Sequence, residues 1–170
     1  EIKKHDNHFH IKTINWLDYK SKYVIIATWN NHRHLWVKGE KEFLWKWVSY
    51  CATCDWMFFR NREVIIVWGW NTAITEALYL SDICKKVYIV HRKDTFRAET
   101  SWIDKAMSKE NSEMVLNEEV EEIVWDALGM TWVKLKSGKE LKADGIFVAV
   151  GTLPNTSIVD NLWLKKDEEG

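Results

Sequence analysis

The chain has 170 residues, 46% apolar and 29% charged, the make-up of a soluble globular protein with one well-buried domain rather than a disordered chain. Its 24 basic and 25 acidic side chains leave a net charge of −1, which gives no global attraction to nucleic acid or an anionic membrane, so neither is expected as a partner. The apolar runs are strand-length, far below the roughly 20 residues of a membrane helix, and no signal-peptide pattern opens the chain, so a cytoplasmic location is expected.

In chain order, residues 9–14 and 18–27 read as strands joined at Asn15-Trp16, where Asn-Gly would make a tight hairpin turn. Residues 29–47 lack periodicity and read as a connecting segment. An unbroken apolar run at 63–67 predicts a strand with both faces covered by helices. Apolar spacing predicts a helix over 71–84, and 87–90 is a second buried strand. This strand, helix, strand unit of about 30 residues is the framework of a dinucleotide-binding half-domain. A helix over 99–109 and a third parallel strand at 113–116 follow. Residues 120–124, 131–136 and 140–141 predict short antiparallel strands with a hairpin turn at Ser137-Gly138, and 146–150 closes the sheet. The fold class is therefore α/β, a Rossmann-like parallel sheet with crossover helices plus a small antiparallel meander.

Three stretches carry candidate chemistry. Cys51-Ala52-Thr53-Cys54 is a lone Cys-x-x-Cys, a spacing that suits a redox-active pair; half a zinc site and a chance spacing are the alternatives. Asp55, next in sequence, is placed either to relay a proton to a thiolate or to cap a turn. Cys84 falls on a helical pattern among apolar neighbours and reads as core. His91, Arg92, Lys93 and Arg97 follow the second strand of the nucleotide unit, where an NAD site has an acidic residue. A basic cluster there predicts a 2′-phosphate clamp, hence NADPH over NADH; a solvated basic turn is the alternative.

The third stretch is Trp68-Gly69-Trp70-Asn71-Thr72-Ala73, between strand and helix. In a G-x-G-x-x-A turn the first glycine makes the bend and the second lets the backbone approach the pyrophosphate. Both positions are tryptophan here, and Gly69 occupies the permissive position between them. A positive φ at 68 or 70 would strain a residue with a Cβ, and an indole at 70 would fill phosphate space. The composition shares this oddity: 7 Gly and 1 Pro against 12 Trp, where average usage gives about twelve glycines.

Cys51-Ala-Thr-Cys54-Asp55, Trp68-Gly-Trp-Asn-Thr-Ala73, His91-Arg-Lys-Asp-Thr-Phe-Arg-Ala98 and Val150-Gly-Thr-Leu-Pro-Asn-Thr156, in this order and spacing, resemble the low-molecular-weight, bacterial type of thioredoxin reductase. The resemblance runs over essentially the whole chain. It implies an NADPH-binding domain at 45–151, flanked at 1–44 and 152–170 by pieces of an FAD-binding domain, with Thr28 in the family's Ala-Thr-Gly segment near the flavin. The family's terminal flavin motifs are absent and the chain starts at Glu1, so a central fragment of a longer protein, unable to hold FAD alone, is expected. His32 stands where the family usually has proline. The resemblance implies electron flow from NADPH through FAD to a Cys51–Cys54 disulfide and on to thioredoxin, with Cys54 facing the flavin, Cys51 attacking the substrate and Asp55 donating the proton. It implies a homodimer, no metal, and domain rotation about hinges near 41–48 and 151–156. A related flavin reductase serving a peroxidase is a second reading, and an inactive partner-binding remnant a third.

Against the family pattern Trp29, Trp45, Trp47, Trp56, Trp68 and Trp70 fall on motif glycines, and Trp16, Trp36, Trp125, Trp132 and Trp163 fall where a turn or family glycine is natural. Trp102, on a helical pattern, does not. A gene that uses UGA for glycine, translated under a code that reads UGA as tryptophan, predicts this distribution.

Overall fold

The computed structural model describes residues 1–127 and 129–165; the last residues of the expected flanking piece 152–170 lie outside them. The chain divides into two compact units, one of Glu1–Arg33 with the residues from Gly151 on, the other His34–Val150.

The larger unit is built on a parallel sheet of β5 (Val48–Ser49), β6 (Glu63–Val67), β7 (Lys86–His91), β8 (Ser112–Leu116) and β12 (Gly145–Val148) in the order β5-β12-β6-β7-β8. The α-helix α2 (Asn71–Ser81) connects β6 to β7, and α3 (Thr100–Met107) precedes β8. This bears out the predicted Rossmann-like unit. The strand predicted at 146–150 does not close the sheet; β12 lies between β6 and the edge strand β5, which sequence periodicity did not show because it is two residues long.

Alternation along β6 explains its apolar run. Val64 and Ile66 face Ala73, Ile74, Ala77 and Leu80 of α2, whereas Ile65 and Val67 join a second core with Ile123, Val133 and Leu135. Those three belong to an antiparallel meander of β9 (Val120–Asp126), β10 (Gly129–Leu135) and β11 (Glu140–Lys142). Only one sheet face is therefore covered by helices; the meander covers the other. Each fully buried Ile or Val side chain contributes about 1.5–3 kcal/mol by leaving water.

In the smaller unit β1 (Ile2–His5), β2 (His8–Lys12) and β3 (Asp18–Ser21) form an antiparallel sheet, and β4 (Asn30–His32) pairs with β13 (Thr152–Pro154). The strand expected over 18–27 ends at Ser21. Among the described residues no strand ladder includes positions 22–27, and Tyr23 and Ile25 are exposed. Apolar character alone does not make a strand without a neighbour to bond.

Candidate active site

Two segments of the larger unit, remote in sequence, are clasped together at the carboxyl ends of β6 and β7. The Trp68 N–H donates to Val90 O at 3.0 Å, the Arg97 N–H donates to Gly69 O at 2.8 Å, and the Glu99 N–H donates to Asn71 Oδ1 at 2.8 Å. The turn at 68–71 and the segment 91–99 are thereby held as one surface, with Ala73 buried one turn into α2 and Thr72 exposed beside it. Helix N-termini of this kind present unpaired N–H groups and a partial positive charge to an anion. Arg92, Lys93 and Arg97 are all exposed beside it.

Gly69 is not the permissive position that spacing suggested. A Cβ there would meet the His91 ring at 2.7 Å, so the turn can close on His91 only if residue 69 is glycine. His91 itself is buried and stacks on Phe96, with centroids 5.3 Å apart. Burial lowers its pKa, and the charges of Arg92, Lys93 and Arg97 push the same way; the Thr95 main chain pulls oppositely without reaching hydrogen-bond geometry. Both ring nitrogens lack a partner, an unmet capacity next to the turn.

The tryptophans do not suit a dinucleotide. Trp68 has φ 126°, a backbone conformation that a bulky L-residue rarely adopts, and the Arg92 guanidinium lies 4.8 Å from its ring centroid. The side chain predicted to grip a 2′-phosphate is instead stacked on an indole. At Trp70 the backbone is ordinary, with φ −101°, so only the side chain obstructs there. Trp70 is 45% exposed at the N-cap of α2, its ring centroid 6.4 Å from that of Trp68. The exposed cationic side chains of Lys93 and Arg97 beside the turn are of the kind a phosphate needs; tryptophan at 68 and 70 does not suit a dinucleotide.

Cys51 and Cys54 form a disulfide with Cα atoms 5.3 Å apart across the short helix α1 (Ala52–Asp55) that follows β5. With both sulfurs in one bond, neither is available to a metal. Among the described residues no group of His, Cys, Asp or Glu is arranged to hold a metal ion. Cys54 is exposed and Cys51 half-buried. Asp55 makes no side-chain cap to the 3₁₀ turn after it, which removes the capping alternative; its carboxylate accepts from Ser49 Oγ at 2.7 Å. Cys84 lies in the core and donates its thiol to Phe59 O at 3.3 Å, and burial pushes its pKa up to about 11.

Three features went unseen in the sequence. Ser49 reaches both Cys51 and Asp55. Glu76, on α2, is half-buried, and burial raises its pKa to about 7, the Ala52 main chain beside the disulfide pulling the other way. Glu40, 1% exposed, accepts from the Leu35 and Trp36 N–H groups and from the Tyr50 hydroxyl, and His34 Nδ1 lies 2.6 Å from that hydroxyl. None has a periodicity to betray it; each depends on where the folded backbone puts its side chain. Thr28 lies in the smaller unit, where its hydroxyl donates to Asn155 O and its carbonyl accepts from Asn155 Nδ2 at 3.2 Å.

A parallel Rossmann-like sheet carrying a Cys-x-x-Cys disulfide and a nucleotide-type turn defines a disulfide oxidoreductase domain. The chain belongs to the pyridine nucleotide-disulphide oxidoreductase family, whose pattern matches residues 2–170. It is 43% identical to thioredoxin reductase of Listeria monocytogenes over 155 residues, 88% of this chain and 49% of that protein. It is 42% identical to glucosaminate ammonia-lyase of Pseudomonas fluorescens over 151 residues, 85% of this chain and 47% of that protein. Among solved structures, Lactococcus lactis thioredoxin reductase in its FR conformation superposes with a TM-score of 0.87 at 35% identity, over 99% of this chain and 57% of that one. The chain thus spans about half the length of the curated relatives it matches. The thioredoxin reductases among these relatives agree with the resemblance carried by the motifs; the ammonia-lyase carries another name. No described helix is long and apolar enough to cross a membrane.

Proposed function

We propose that this chain is the central part of an NADPH-dependent thioredoxin-disulfide reductase, with 45–151 binding NADPH and 1–44 and 152–170 contributing to a flavin domain. The observation that carries the reading is the Cys51–Cys54 disulfide packed, through α1, on the helix whose N-terminus forms the nucleotide turn. Bound NADPH and FAD would supply the electron pair that opens the disulfide. The chain's own residues do the rest. Arg92, Lys93 and Arg97 bind the 2′-phosphate, and glycine at position 70 lets the turn approach the diphosphate. Opening the disulfide consumes two electrons and two protons and leaves two thiols. The Cys51 thiolate attacks one sulfur of the thioredoxin disulfide, the other sulfur leaving as a thiolate that takes a proton supplied through Asp55. Cys54 then attacks Cys51, reforms the disulfide and releases the reduced partner. A cytoplasmic homodimer is the setting in which we expect this to run.

The same reading requires glycine at 68 and 70, and we infer that the tryptophans are misdecoded UGA codons. Backbone conformation supports this independently of any motif. Among the described residues nine non-glycine positions have positive φ: Asp6, Asn61 and Asn117, types that tolerate it, and Trp16, Trp29, Trp36, Trp45, Trp68 and Trp163. No other bulky residue type occurs among them. For Trp47, Trp56, Trp70, Trp125 and Trp132 the support is the family pattern alone. Trp102 packs on the helix-side core within α3 and is at home there.

The test is to read the source codons, sequence native peptides by mass, and assay the native full-length protein with NADPH and oxidised thioredoxin. UGA codons and glycine masses at the eleven positions, UGG at Trp102, and turnover abolished by Cys54→Ser are expected. UGG codons with tryptophan masses would favour the inactive remnant that Trp68 and Trp70 describe, and turnover on a peroxidase-linked disulfide but not on thioredoxin would favour the related flavin reductase.

A further inference from the structure

Resting on the disulfide-exchange reading above, we propose that Ser49 is a positioning residue for that exchange, tying the Asp55 carboxylate to the backbone of Cys51 through one hydroxyl. Ser49 ends the edge strand β5 and is 2% exposed, so its hydroxyl is costly to bury unless bonded. It is bonded on both sides. Ser49 Oγ accepts the Cys51 N–H at 3.0 Å, and it lies 2.7 Å from Asp55 Oδ2 and 3.3 Å from Cys51 O. A serine hydroxyl has a single proton to give. The carboxylate is both nearer and charged, and a charge-assisted bond is roughly twice as strong as a neutral one, so the proton goes to Asp55.

The consequence is geometric. Cys51 and Asp55 flank the disulfide loop at the start and end of α1, four residues apart in sequence, and the Asp55 N–H already donates to Cys51 O at 3.2 Å. The Ser49 bridge adds a side-chain link between the same two residues, so the carboxylate cannot swing out to solvent without breaking that partly buried bond. Asp55 lacks the usual competing occupation for an aspartate at this place, since it makes no side-chain cap to the turn after it. In the exchange a sulfur leaves as a thiolate and must take a proton, while the attacking thiol must lose one. A carboxylate tethered to the backbone of Cys51 does this only while it is held there.

The experiment uses the full-length native protein and reads the rate at which dithiothreitol reduces the Cys51–Cys54 disulfide, across pH 5 to 9. This readout needs neither NADPH nor thioredoxin, so it stands apart from the test of the reductase reading. Ser49→Ala is expected to slow reduction about tenfold and to change the shape of the pH profile, the effect of one lost bond to a charged group. Ser49→Thr, which keeps the hydroxyl, is expected to restore most of the rate. In an Asp55→Asn background Ser49→Ala is expected to add less than twofold, because the two act as a unit. Circular dichroism of each variant checks that the fold is kept. An unchanged rate in Ser49→Ala, or the same tenfold loss in the Asp55→Asn background, would overturn the proposal. Normal Ser49 coupling with no turnover of thioredoxin would instead leave the positioning role standing and remove the substrate.

Discussion

Glu76 shows at the scale of one residue how the nucleotide helix and the disulfide loop are joined. Its carboxyl is half-buried, and burial raises its pKa to about 7 from 4.5, the Ala52 main chain opposing that shift. The folded state therefore holds this proton more tightly than the unfolded chain does. The stability that the neutral carboxyl contributes is present below pH 4.5 and is lost as pH rises toward 7. Glu76→Gln keeps the size of the side chain and removes the titration. It should raise the melting temperature of the full-length protein by about 2–4 °C at pH 8 and leave it unchanged at pH 4. Equal shifts at both values would mean that the charge is not what destabilises. Arg92 shows the complementary case, an exposed side chain whose place is set by what it stacks on.

At the scale of an element, the interior strand β12 is limited by its neighbours rather than by propensity. A Cβ at Gly145 would lie 2.0 Å from the Phe59 ring, and Phe59 is itself packed edge-on against Phe147 with centroids 5.0 Å apart. Gly145→Ala should therefore destabilise by about 1–3 kcal/mol through overpacking, measured by denaturant unfolding. A neutral effect would show that Phe59 moves aside freely. The same reasoning makes Gly69 essential to the turn, whose backbone has to touch His91. The hairpin at Ser137-Gly138 was legible in sequence because glycine there has φ 89°, and the element's chemistry is local.

Across the whole molecule, six tryptophans in positive-φ conformations are a collective burden. At about 1–2 kcal/mol each the sum rivals the net stability of about 5–15 kcal/mol that an entire domain has. A full-length version with glycine at positions 16, 29, 36, 45, 68, 70 and 163 should melt at a clearly higher temperature than one with tryptophan there, and should bind NADPH. In that version, replacing Arg92 and Arg97 should weaken NADPH at least tenfold more than NADH, read by fluorescence titration. Equal losses for the two nucleotides would remove the 2′-phosphate assignment.

What the sequence by itself determined is the set of local choices. The apolar run of β6, the spacing of α2, the Cys-x-x-Cys, the basic segment after β7 and the tryptophans at turn positions could all be read in it, because each is fixed by side-chain chemistry within a few residues. The tertiary structure alone decided that the meander covers the second sheet face, that residue 69 must be glycine, and that the strand expected to reach Ala27 stops at Ser21. It alone brought Ser49 to Asp55 and buried the Glu76 carboxyl. These outcomes depend on which backbone groups find partners and which rings meet across the sheet, and such contacts join residues whose sequence separation leaves no periodic trace.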